Sequence, residues 1–74
     1  MEKVNSVKIW SREEIDSQMF NFGWSVFSQA KRDIDSEKYG SDWKGGAYSN
    51  DFFSAWVRIS EKGCVSVMVS RVKA

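Results

Sequence analysis

Two rhythms of apolar and polar residues run along this chain, one with a period of two and one with a period near 3.6. The stretch FFSAWVRISEKGCVSVMVSRV, residues 52–72, carries the first. On an extended strand Phe53, Ala55, Val57 and Ile59 share one side, and Ser54, Trp56 and Arg58 share the other. Beyond SEKG the pattern resumes, with Val65, Val67 and Val69 against Ser66, Met68 and Ser70. A three-residue loop, EKG, with Gly63 in the left-handed conformation closes this into a hairpin. Ser60 then faces Cys64, and Ile59 pairs with Val65, Val57 with Val67, Trp56 with Met68 and Arg58 with Ser66. A two-residue turn would set Val57 against Ser66 and mix the faces, which burial of one face forbids.

The same two-residue period in VNSVKIW predicts a strand at about 4–10, with Val7 and Ile9 inward and Lys8 and Trp10 outward. The following SREE has the form of a capping box, in which Ser11 and Glu14 would satisfy each other's backbone N–H groups. A helix over about 12–38 is expected from there. At about 100° per residue, Ile15, Met19, Phe22, Val26 and Ala30 form one apolar stripe, widened by Ile34, Phe27 and Phe20. Gly23 interrupts it at a cost of about 1 kcal/mol relative to Ala, so a kink or a pair of shorter helices is the alternative. Tyr39 and Gly40 read as the helix stop, and 40–51, GSDWKGGAYSND, as a long loop in which Trp43 folds back as a lid on the core.

These elements imply a two-layer α+β fold of order β-α-β-β. One long helix packs on one face of a three-stranded antiparallel sheet, within one domain spanning 1–74. The helix cannot cover both faces. Lys8, Trp10, Trp56, Arg58, Ser66 and Met68 remain outside, an apolar patch ringed by cations of the kind a soluble monomer seldom keeps without a use.

Composition narrows the chemistry. The chain has 74 residues, 42% of them apolar and 15% aromatic, with no histidine and one cysteine. Lack of histidine removes the commonest general base and zinc ligand, and a lone cysteine permits no internal disulfide. No apolar run approaches the roughly 20 residues that cross a bilayer, and MEKVNSVKIW has no secretory-signal pattern. The expectation is a cytoplasmic, noncatalytic protein with no cofactor and no metal. Asp33, Asp35 and Glu37 lack the glycine and late glutamate of a calcium loop, WKGGAYS lacks phosphate-loop spacing, and Cys64 beside the turn has no activating partner.

The net charge of +1 hides a separation. Arg58, Lys62, Arg71 and Lys73 dominate the C-terminal part, whereas Glu13, Glu14, Asp16, Asp33, Asp35 and Glu37 outweigh Arg12, Lys31 and Arg32 on the helical segment. Those six carboxylates are a candidate acidic surface that mimics nucleic-acid phosphates. The candidates for binding a partner are Trp10, Trp56, Arg58, Met68 and Lys8, with Trp43, Tyr48 and Trp24 as further aromatics, since Trp, Tyr, Met and Arg concentrate at interface centres. A foreign protein or a second copy of the chain is the expected partner. In size and build the chain resembles the small proteins by which phages and mobile elements block host complexes, including anti-CRISPR proteins, which share no common sequence signature. That resemblance implies a noncatalytic inhibitor acting in the host cytoplasm. The alternative is single-stranded nucleic acid held by the aromatic and basic residues of the outer sheet face, although no RNP-type signature is present.

Overall fold

The computed structural model describes residues 4–72, so Lys73, counted above among the cations, lies outside the described residues. The elements are β1 (Ser6–Trp10), α1 (Ser17–Asp35), β2 (Gly45–Ser49), β3 (Phe53–Ile59) and β4 (Cys64–Arg71). They form one sheet of order β1-β4-β3-β2 with the helix on one side. The α+β class expected from the sequence is present, but the sheet has four strands and is mixed. β2 pairs antiparallel with β3 and β3 with β4, whereas β1 pairs parallel with β4. The cause is topological. After β1, α1 carries the chain to the opposite edge of the sheet; β2, β3 and β4 then return strand by strand, so β4 arrives beside β1 running in the same direction.

The hairpin has the register that its alternation demands: Ile59 pairs with Val65, Val57 with Val67, Trp56 with Met68 and Arg58 with Ser66. Gly63 takes φ +86°, and the Ser60 N–H donates to the Cys64 carbonyl at 2.9 Å. The loop expected over 40–51 is broken by β2, whose GGAYS sequence has the small residues of a turn but gains backbone bonds from β3.

The helix is unbroken through Gly23 and shorter than its predicted span of 12–38. Ser11 does not cap it. The Ser11 hydroxyl accepts only from the Glu13 N–H, at 3.0 Å, and Glu14 is exposed. Asp16 is the N-cap, with its carboxylate accepting from the Met19 N–H at 2.8 Å. Ile15 consequently precedes the helix and is 38% exposed, so it does not lead the buried stripe. At the other end the helix stops at Asp35, with Ser36 as C-cap, and Glu37 takes a left-handed φ of 53° before Gly40 at φ 100°.

The core forms where Met19, Val26, Ala30 and Ile34 of α1 meet Ala55, Val57, Val65, Val67 and Val69. Burial of each larger side chain contributes about 1.5–3 kcal/mol relative to exposure. Gly23 is buried where α1 packs on the sheet: a Cβ on it would stand 2.5 Å from Ile9 Cγ2 and 3.2 Å from Val69 Cγ2. Phe22 closes one flank against Phe53, with ring centroids 5.5 Å apart.

Candidate functional site

The strand register aligns two rows across the face that α1 leaves open. Trp10 of β1 stands beside Met68 of β4, which stands beside Trp56 of β3 and then Ala47 of β2. Two residues along each strand, Lys8, Ser66, Arg58 and Gly45 make the second row. Adjacent strands lie about 4.8 Å apart and each residue advances about 3.3 Å. The Trp10 and Trp56 backbones are therefore roughly 10 Å apart across β4, and the aromatic and cationic rows about 7 Å apart.

A shallow depression of about 350 Å³ joins these side chains and is lined by Lys8, Trp10, Arg12, Trp56, Arg58, Ser66 and Met68. No carboxylate lines it. Trp56 is 54% exposed. Lys8 Nζ stands 5.5 Å from the centre of the Trp10 ring. Arg12, expected at the helix start, belongs instead to the segment that follows β1, and it brings a third cation to the face. Thus five sequence-derived candidates, Lys8, Trp10, Trp56, Arg58 and Met68, meet on one surface.

Trp43 and Tyr48 do not join them. Trp43 is half-buried against the core, lying over Gly46 and stacked on Tyr39 with ring centroids 4.9 Å apart, the lid expected of it. Tyr48 lies on the helix side, and its hydroxyl donates to Asp33 Oδ2 at 2.7 Å. Gln29 Nε2 donates to the other oxygen of Asp33 at 3.0 Å. The Tyr48 bond, aided by Gln29, holds the Asp33 carboxyl below the usual aspartate range, opposed by burial. Tyr48 is pushed up, by burial first and by Asp33 second.

The acidic residues fail to make one surface. Asp33 is buried with 4% exposure, because helical phase turns it toward β2 and Tyr48. Arg71 Nη1 meets Glu13 Oε2 at 3.2 Å and Arg71 Nη2 meets Asp16 Oδ2 at 2.8 Å. The cap bond from the Met19 N–H, followed by the Arg71 bond, draws the Asp16 carboxyl below its ordinary value. Glu14, Asp35 and Glu37 are exposed, but Glu14 lies before the helix while the other two lie at its far end. A helix of 19 residues separates the groups by about 28 Å.

Phe27 packs against the core as the stripe predicts, whereas Phe20 and Trp24 lie outside it; the three rings form an edge-to-face ladder on the helix flank, with centroids 6.1 Å and 5.6 Å apart. Phe20 and Trp24 are 44% and 42% exposed. Their i, i+4, i+7 spacing was the available signal. Among the described residues no group of three or more Cys, His, Asp or Glu could hold a metal ion, and no helix is long and apolar enough to cross a membrane. No family model matches the chain, and neither the curated proteins nor the solved structures contain a match.

Proposed function

We propose that the protein is a noncatalytic binding module whose helix-free sheet face is its contact surface. The row Trp10, Met68, Trp56 carries this reading: on the face that the helix leaves open, an exposed Trp56 stands in line with half-buried Met68 and Trp10. Such groups dominate binding energy when a partner desolvates them. Lys8, Arg12 and Arg58 around them favour a partner that is apolar or aromatic at its centre and anionic at its rim.

A small inhibitor of the phage type, which blocks a host complex by covering part of it, is one form of this reading. Its target would be a protein surface with an acidic border. A second copy of the chain is a weaker occupant, since two such faces docked together set acid-free basic surfaces against each other. The charged lining of the depression, which is all cationic, favours a second reading, single-stranded nucleic acid.

Trp56→Ala and Met68→Ala test the surface itself. Both variants are expected to keep the circular dichroism and melting behaviour of the parent. Binding to a glutamate-rich, tryptophan-containing peptide or to an oligonucleotide should fall. Unchanged binding by both folded variants removes the sheet face from consideration.

A further inference from the structure

We propose that the occupant of this face is a single-stranded nucleic acid, laid across the strands with bases on Trp10, Met68 and Trp56 and phosphates on Lys8, Arg58 and Arg12. This rests on the reading of the sheet face as the contact surface and names its partner.

The two rows are the reason. A nucleotide is flat and apolar at one end and anionic at the other, and a single strand repeats that polarity at each step. The sheet offers the complementary pair of tracks: an aromatic row fixed by the pairings Trp10 to Met68 to Trp56, and a cationic row fixed by Lys8 to Ser66 to Arg58. Bases stack on aromatic faces whatever their identity, and cations beside them follow the backbone. A protein with an apolar centre and an acidic border would also engage both rows, but only a single strand repeats a flat ring and an anion side by side at every step, as the two rows do. Arg58 adds a planar guanidinium suited to phosphate. Ser66 places a hydroxyl between the two cations of its row.

The small net charge of +1 does not oppose this, because no carboxylate lines the depression itself. Asp33 is buried under Tyr48, Glu13 and Asp16 face Arg71, and none of them lines the depression. Lys8 gives up its contact with the Trp10 ring when a base stacks there; an exposed contact of that kind is weak. A flat face cannot enter a duplex groove, and paired bases keep their rings inside the stack, so single strands are preferred to duplex. The two indoles with Met68 between them suit a tract of about three nucleotides.

The test uses the whole chain with three probes: a ten-nucleotide oligo(dT), a duplex of the same length and a glutamate-rich peptide containing one tryptophan. Tryptophan fluorescence reads binding at several salt concentrations, and backbone amide shifts locate it. Oligo(dT) is expected to bind in preference to the duplex and the peptide, with log K falling against log salt at a slope of about −2 for three phosphate contacts. Trp56→Ala should weaken it about fivefold to a hundredfold, and Trp56→Phe should restore most of the loss. Arg58→Gln should reduce the slope by about 0.7. No binding of oligo(dT) at low salt, a slope near zero, or duplex bound as tightly as the single strand overturns the proposal. Peptide bound at the sheet face in place of oligo(dT) also overturns it but leaves the contact surface standing. Shifts confined to the helix side overturn both.

Discussion

Gly23 shows how a single absent methyl group sets the spacing between two layers. Helix propensity alone favours Ala there by about 1 kcal/mol. Packing opposes it, since the added Cβ would lie 2.5 Å from Ile9 Cγ2, and overpacking of this kind costs about 1–3 kcal/mol. Gly23→Ala is therefore expected to lower stability by about 1 kcal/mol net in a urea titration, and Ile9→Ala in the same chain should absorb part of that loss. Sequence periodicity marked Gly23 as a weak point of the helix; it carried no sign that Ile9 would press on it, because contact across layers is absent from local pattern. Asp33 makes the same point with the opposite polarity. It was expected on an acidic outer surface and is buried instead, because its two hydrogen-bond donors, Tyr48 and Gln29, come in part from a strand hidden in an apparent loop. The folded carboxyl sits below its ordinary range, so its stabilisation is present above the unfolded pKa and is lost as pH falls through the folded one. Tyr48→Phe should cost about 1–3 kcal/mol at neutral pH and flatten the acid limb of the stability profile, measured by thermal melts from neutral pH downward.

Elements whose signal is local and repeated were read well, and those with competing local signals were not. The hairpin register followed from one glycine and two alternating runs, and every inward valine landed under the helix. Gly63→Ala places a side chain at φ +86° and should destabilise by about 1–2 kcal/mol without shifting the register. At the helix start, Ser11 and Asp16 both have capping chemistry, and the sequence favoured Ser11 for its partner Glu14. Pairing of β4 with β1 and the bonds from Arg71 to Glu13 and Asp16 draw the chain past the first cap to the second. Asp16→Ala is accordingly expected to reduce helicity and melting temperature, whereas Ser11→Ala should leave helicity unchanged, both read by far-ultraviolet circular dichroism. β2 escaped notice because Gly45, Gly46 and Ser49 have little intrinsic strand preference; its existence depends on β3 as a partner.

At the scale of the molecule, the division into a covered and an open sheet face was legible, while strand order was not. Alternation tells which residues of a strand share a side but says nothing about which strand lies next to it. The parallel placement of β1 beside β4 is what converts scattered outward residues into the row Trp10, Met68, Trp56, and the same placement brings Arg12 to join Lys8 and Arg58. Trp43 and Tyr48 left the candidate surface for another reason: alternation along β2 turns Tyr48 to the helix side, and Trp43 packs against the core. Charge segregation also belongs to this scale: in a chain of net charge +1, every charged residue lining the sheet-face depression is a cation.

The most direct measurement is a backbone amide shift map of the labelled protein titrated in parallel with oligo(dT) and with the glutamate-rich peptide. The account predicts that the amides of Lys8, Trp10, Trp56, Arg58 and Met68 move with the ligand that binds while those of Trp24 and Tyr48 stay in place. Movement of Phe20, Trp24 and Tyr48 with the sheet face unperturbed would contradict it.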